Sequence, residues 1–410
     1  MTDAVHIGDL ARPVFAPHVV EMLDGMGAMA DDCPLDARRL HEQATDETGL
    51  TDFGPRDYEE RLDVLLAALR DVEPVTPAGR VVFHAQMVQL LKNRLLLTDL
   101  IARHPEIHDI ELVPPIVVVG LPRTGTTHLH NLLGADPALR SLPYWESLEP
   151  FPPPGELGVA PSPRRTRTDA AVWFLNEAMP LFVRMHEMTT DHVHEEIQLL
   201  AVDFSTMFFE TLAPVPAWRD YYRAHDQTPH YRYLRTMLQA LQFTRGGGRW
   251  VLKSPQHLEQ LPVLAEVFAG ATTVVTHRDP VDVVVSMATM IAYSARMYTD
   301  RVDPAVLGRS WADRIDDLLT ACVRDRPVLD GGRALDVRFD EFMADELGTV
   351  RAIYELADQP FDDAAHRAVS GYLAGHTRGR LGTIEYRAED VGLRVDELRE
   401  RFAPYVARFL

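Results

Sequence analysis

The chain has 410 residues, enough to bury a large core in one elaborated domain or in a main domain with a smaller helical part. A formal net charge of -20 argues against a nucleic-acid backbone as partner, yet leaves room for a small anion held in one positive pocket. Two cysteines, Cys33 and Cys322, exclude a disulfide framework and a cysteine-held metal cluster. The opening "MTDAVHIGDL" lacks the pattern of a leader, and no window reaches the roughly 18 apolar residues of a membrane span. A cytoplasmic enzyme is therefore expected.

Residues 9 to 110 are expected to be mostly helical. "DYEERLDVLLAALRDV" brings Leu62, Leu65, Leu66 and Leu69 close to one helix face. "HAQMVQLLKNRLLLTDLIARHP" continues the helical pattern until His104 and Pro105 stop it. "LVPPIVVVG" then changes the period: a β-branched run between Pro and Gly reads as a buried strand of a parallel sheet. "RWVLK" from Arg249, "ATTVVTHR" from Ala271 and "ALDVRFDEF" from Ala334 repeat that character, with apolar helical patterns between them. Strands alternating with helices on this scale predict βαβ units. Residues 150 to about 245 differ: a proline-rich stretch leads into aromatic and aliphatic residues at helical spacing. The expected architecture is α/β, a three-layer phosphate-loop fold with a mostly parallel central sheet. A helical extension over 1–112 precedes a main domain over 113–410, which carries a mainly helical insertion at about 150–245 on the acceptor side.

"VVVGLPRTGTTHLHNLL" has the outline of a phosphate loop. Gly120 and Gly125 carry the Gly-x-x-x-x-Gly spacing that lets successive amides curve around an anion, and a helix starting near Thr126 offers its unpaired N–H groups. Thr126 stands where an ATP or GTP enzyme needs its lysine, and Arg123 supplies a charge within the loop instead. ATP hydrolysis is thereby disfavoured. In "VVTHRDPVDVVVSM", Arg278 ends a strand pattern and Ser286 lies eight residues on in the next helix. A fork-like guanidinium and a short hydroxyl donor suit a phosphate dianion.

Together these segments resemble the sulfotransferases that use 3'-phosphoadenylyl sulfate (PAPS) as donor. By that resemblance Thr124, Gly125, Thr126 and Thr127 hold the 5'-phosphate, Arg123 contacts the transferring group, and Arg278 with Ser286 clasps the 3'-phosphate. "HTRGRLGTIEYRAEDVGL" resembles the family's donor-covering loop. Of its arginines, Arg378 and Arg380, the second is favoured as a donor ligand. Lys253, in "VLKSPQHLEQLP", matches a lysine that assists the sulfuryl oxygens.

Sulfuryl transfer also needs a base for the acceptor proton. Glu146 in "SLPYWESLEP" follows the helix after the phosphate loop, as the catalytic glutamate does in protein-tyrosine sulfotransferases. His257 is the rival, because cytosolic sulfotransferases carry a histidine base after a similar lysine. "DHVHEEIQLL" groups His192, His194, Glu195 and Glu196 but lacks the i,i+4 histidine pair of a zinc helix, so no metal is expected. His194 or Glu195 could instead line the acceptor pocket.

The expected reaction moves a sulfuryl group from PAPS to a hydroxyl or amine of a small, largely apolar acceptor, leaving adenosine 3',5'-bisphosphate. A kinase-like phosphotransferase and a non-catalytic nucleotide-binding scaffold or sensor are the alternatives. A homo-oligomer is compatible with the sequence, and acceptor identity is not written in it.

Overall fold

The computed structural model describes residues 4–377 and 379–410. Nine strands occur among them: β1 Ala4–His6, β2 Ile116–Gly120, β3 Leu139–Arg140, β4 Leu142–Pro143, β5 Val193–His194, β6 Arg249–Lys253, β7 Thr272–His277, β8 Arg333–Arg338 and β9 Thr383–Glu385. Five build the central sheet in the order β3-β6-β2-β7-β8, every neighbouring pair parallel. β2 lies in the middle and is buried along its whole length, as its β-branched sequence requires. Its side chains alternate between two cores: Val117 and Val119 face one cluster, Ile116 and Val118 the other. Both faces of the sheet are thus covered.

The helices α1 Pro17–Gly27, α2 Ala37–Thr48, α3 Tyr58–Arg70 and α4 Pro77–Arg103 precede the sheet. Thr76 caps α4 by accepting the Gly79 N–H at 3.0 Å, Pro77 occupies the first turn, and His104 ends the helix. Leu62, Leu65, Leu66 and Leu69 are all buried, and they share one core with Val117 and Trp218. A buried ionic knot fastens these helices to later parts of the chain. Asp203 takes Arg61 at 3.0 Å, Arg94 at 2.8 Å and His230 at 2.6 Å.

α5 Thr126–Gly134 follows β2. The 150–245 stretch then forms α7 Pro163–Ala178, α8 Ile197–Ala201, α9 Phe208–Leu212, α10 Pro216–Ala224 and α11 Thr228–Arg245, after the short α6 Tyr144–Leu148. α12 Leu261–Val267 and α13 Pro280–Ser294 fill the crossovers on either side of β7.

One expected boundary shifts, and three short strands are added. "ALDVRFDEF" leaves the sheet at Arg338, because Phe339 opens a short helix that runs to Ala344. Strands β3, β4 and β5 arise where helical or irregular chain was expected.

Candidate active site

The sheet register sets the site. Val118 pairs with Lys253 across β2 and β6, while Gly120 pairs with Thr276 across β2 and β7. The phosphate loop, Lys253 and Arg278 therefore leave three adjacent parallel strands at the same edge, the carboxyl end where open α/β sheets bind ligands. Gly120 has no room for a side chain: an added Cβ would come within 2.0 Å of Thr276 Oγ1. Gly125 adopts φ 83° at the N-cap of α5, where a Cβ would meet the Phe339 ring at 3.1 Å. Arg123 also adopts a left-handed φ of 70°, a strained conformation for a residue with a side chain.

A cavity of 1520 Å³ opens at this edge. It exceeds the roughly 300–1,000 Å³ of a site for one small ligand, so it has space for a donor and an acceptor together. Arg123, Gly125, Thr126, Thr127, Lys253, Arg278, Ser286 and Arg380 all line it. Arg123 joins the two expected ends of the donor site. Its Nε donates to Ser286 Oγ at 3.0 Å, its carbonyl accepts from Arg278 Nη1 at 2.8 Å, and its guanidinium reaches Met185 O and the Tyr386 hydroxyl. Arg278 also stacks over Phe339, 4.5 Å from the ring centre, and lies 3.6 Å from Asp282. Arg380 is ion-paired with Glu187, another cavity residue; Arg378 lies outside the described residues.

Thr124, Glu146 and His257 are not among the residues lining the cavity. The Thr124 hydroxyl turns inward, donating to Leu121 O at 2.7 Å and lying 2.8 Å from Thr276 Oγ1. Glu146 is 0% exposed, with Arg140 and Arg245 each 2.6 Å from a carboxylate oxygen, and Arg140 stacks on Trp250. His257, also 0% exposed, is held between Glu196 Oε1 at 2.5 Å and the Tyr231 hydroxyl at 2.7 Å. Both expected base candidates are thus engaged by neighbouring side chains and stand behind the cavity wall.

The residues facing Lys253 come from "DHVHEEIQLL". Lys253 Nζ is ion-paired with Glu195 and lies 3.4 Å from Thr127 Oγ1. Glu195 lines the cavity, whereas Glu196 turns away to accept the Lys253 N–H at 2.8 Å and hold His257. Burial is the largest influence on the Glu196 carboxyl and would raise it, but the hydrogen bond and charge of His257 together with main-chain hydrogen bonds outweigh it and keep the group below its ordinary range. His186, His192, His194 and Tyr144 extend the same wall. Burial, then the nearby Lys253, brings His192 down to about 4 despite the Thr189 carbonyl. His194 is likewise held well below normal by burial and by its neighbours His192, His186 and Lys253. The sequence singled out His194 and Glu195 as pocket residues but gave no sign of Glu187 or His186, which lie far along the chain from the phosphate loop, or of Tyr144 and Tyr386.

Leu175, Phe182, Met188, Phe208 and Trp311 add apolar surface to the cavity walls. No described helix is long and apolar enough to cross a membrane.

Comparison with known proteins agrees with this geometry. Residues 114–363 match a model of the Sulfotransferase family. The omega-hydroxy-beta-dihydromenaquinone-9 sulfotransferase Stf3 of Mycobacterium bovis is 25% identical over 301 residues, covering 67% of this chain and 71% of that protein. The crystal structure of sulfotransferase STF1 from Mycobacterium tuberculosis H37Rv superposes with a TM-score of 0.79 at 32% identity, over 90% of this chain and 98% of that one. Sulfotransferase STF9 from Mycobacterium avium gives 0.82 at 27% identity, over 92% and 97%. These likenesses favour neither a kinase-like phosphotransferase nor a non-catalytic scaffold. The chain is an enzyme of sulfuryl transfer and belongs to the bacterial PAPS-dependent sulfotransferases.

Proposed function

We propose that the enzyme takes PAPS as its donor and transfers the sulfuryl group to a hydroxyl or amine of a largely apolar small molecule, releasing adenosine 3',5'-bisphosphate. The observation that carries this reading is the double link from Arg123 to Ser286 and Arg278, which puts the phosphate loop and the second phosphate-binding pair on one cavity. In this reading the amides after Gly125 and the hydroxyls of Thr126 and Thr127 hold the 5'-phosphate end, and Arg278, Ser286 and Arg380 hold the 3'-phosphate. Donor binding draws the Arg123 side chain from Ser286 toward the bridging oxygen. There, Arg123 and Lys253 offset charge that develops on the sulfuryl and leaving groups.

Glu195 is the acceptor's base in this scheme, replacing Glu146 and His257. Its support is position: it meets Lys253 at the cavity wall, so the proton would leave beside the charge that steadies the sulfuryl oxygens. The apolar walls and the activity named for Stf3 both favour a lipid-like alcohol or phenol. Residues 1–112 act as a helical extension and 113–410 as the catalytic domain, its 150–245 helices shaping the acceptor side. The free thiols Cys33 and Cys322 fit a cytoplasmic setting. The test is transfer of labelled sulfuryl from PAPS to a panel of apolar phenols, long-chain alcohols, amines, sugars and peptides. Turnover with apolar hydroxyl acceptors is expected, and a preference for sugars or peptides would overturn the acceptor class.

A further inference from the structure

Several cations of the cavity wall have a carboxylate beside them. Lys253 is ion-paired with Glu195, Arg380 is ion-paired with Glu187, and Arg278 lies 3.6 Å from Asp282. Arg184 lines the same cavity, is partly buried, and differs. Among the described residues, none forms an ion pair or a side-chain hydrogen bond with its guanidinium. Nη1 is buried against the chain without a partner, whereas Nε and Nη2, equally unpartnered, are not among the buried atoms. Those two nitrogens share one edge of the planar group, so Arg184 keeps an open two-donor fork. An unmet N–H is costly, the more so on a charged group, and beside a cavity it points to a partner that comes from outside the chain.

Three contacts fix where Arg184 stands. It ends the short helical turn Phe182–Arg184, which packs against α13, the helix that carries Ser286. Just before the turn, the Leu181 N–H donates to the Tyr293 hydroxyl at 3.1 Å, about two helical turns beyond Ser286. Just after it, Met185 O accepts from Arg123, whose Nε donates to Ser286 Oγ at 3.0 Å. Arg184 is therefore bracketed on the Ser286 side of the cavity. The third contact orients its side chain: a Cβ on Gly382 would come within 2.9 Å of Arg184 Cζ and Nη1. Glycine at 382, with φ 87°, thus leaves the space that the guanidinium takes, beside the turn that carries Arg380.

We infer that Arg184 is a further anion-binding residue of the donor site and holds the nucleotide's 3'-phosphate together with Arg278 and Ser286. The inference rests on the reading of the cavity as a PAPS site. Its first support is charge. A phosphate dianion needs more than the Arg278 charge, which Asp282 shares, and the Arg380 charge, which Glu187 shares, whereas no carboxylate competes for Arg184 among the described residues. Its second support is shape, because an open guanidinium edge matches two phosphate oxygens at once. Arg184 would meet the phosphate from the Gly382 side, opposite Arg278 at the end of β7.

The experiment titrates Arg184→Gln and Arg184→Lys calorimetrically with adenosine 3',5'-bisphosphate and with adenosine 5'-monophosphate. Arg184→Gln should bind the bisphosphate roughly 10- to 100-fold more weakly, the loss expected for one charge-assisted hydrogen bond. The monophosphate should stay within about twofold, which also reports that the variant is folded. Arg184→Lys keeps the charge without the fork and should fall between Arg184→Gln and the wild type. The urea midpoint of the ligand-free protein should not drop in either variant, since no described side chain pairs with Arg184. Wild-type bisphosphate affinity in Arg184→Gln would overturn the inference, whether or not the midpoint falls. So would an equal loss for both nucleotides, which would put Arg184 at the 5' end, or a change confined to the acceptor KM, which would put it on the acceptor side. The underlying donor reading fails separately, if the wild type itself binds the two nucleotides equally.

Discussion

Glu146 and Glu195 are both carboxylates beside the site, and exchanging each for glutamine separates a structural role from a chemical one. Glu146 is 0% exposed, and Arg140, whose side chain is 10% exposed, depends on it for charge compensation. Breaking a buried ion pair by removing one partner costs about 3–5 kcal/mol. Arg140 keeps its stack on Trp250 at 4.5 Å, and Arg245 is 41% exposed and can turn to water, so the cost falls near the lower figure of about 3 kcal/mol. With a urea slope of about 3 kcal/mol per molar, the unfolding midpoint of Glu146→Gln drops by about 1 M. Its kcat, measured on folded protein with saturating PAPS, stays within about twofold of wild type, a change worth only about 0.4 kcal/mol of barrier. Glu195→Gln behaves in the opposite sense, losing roughly 10²–10⁴ in kcat, the range for a removed general base. If Glu146→Gln lost a hundredfold in kcat with its midpoint unmoved, the assignment of the base to the Lys253 wall would be refuted.

Arg123→Ala should reduce turnover far more than it weakens adenosine 3',5'-bisphosphate; an undiminished rate would reject its catalytic assignment. Acid stability offers a second check. Burial is the first cause of the low values at His130, His186 and His192, at about 4, 3 and 4, while the unfolded chain binds protons near the ordinary 6.5. The unfolded state then holds more protons below pH 6.5, so the contribution of these groups is present above that pH and drains as pH falls from 6.5 toward 4. Urea midpoints measured across that range should decline, and His130→Asn should flatten part of the slope; a midpoint independent of pH would contradict the burial argument. Gly120→Ala should fail to accumulate as folded protein, because the added methyl would collide with Thr276, and near-native circular dichroism with a normal melting point would count against that packing.

The sheet and the phosphate loop were legible because their signals are local. An uninterrupted β-branched run can be buried on both faces, and Gly120, Gly125 and Arg278 sit where strand ends must deliver them. Less visible were elements created by partners: β3, β4 and β5 are two-residue strands whose existence depends on pairing with chain that is distant in sequence or separated by a long insertion. The surroundings of the base candidates were hidden for a related reason. Nothing near Glu146 shows that Arg245, 99 residues away, will close on it. Glu195 and Glu196 look alike in "HEEIQ", yet one meets the Lys253 ammonium and the other takes the Lys253 N–H and His257. Thr124 looked like a phosphate ligand by its place in the loop, but Thr276 on the neighbouring strand captures its hydroxyl.

Calorimetric titration of adenosine 3',5'-bisphosphate against adenosine 5'-monophosphate, in the wild type and in Arg278→Ala, tests most directly whether one cavity grips both ends of the donor. The bisphosphate should bind tighter by about 1.5–3 kcal/mol for each charged hydrogen bond that its second phosphate makes, and Arg278→Ala should erase most of that advantage. Equal affinity for the two nucleotides in the wild type would contradict the account.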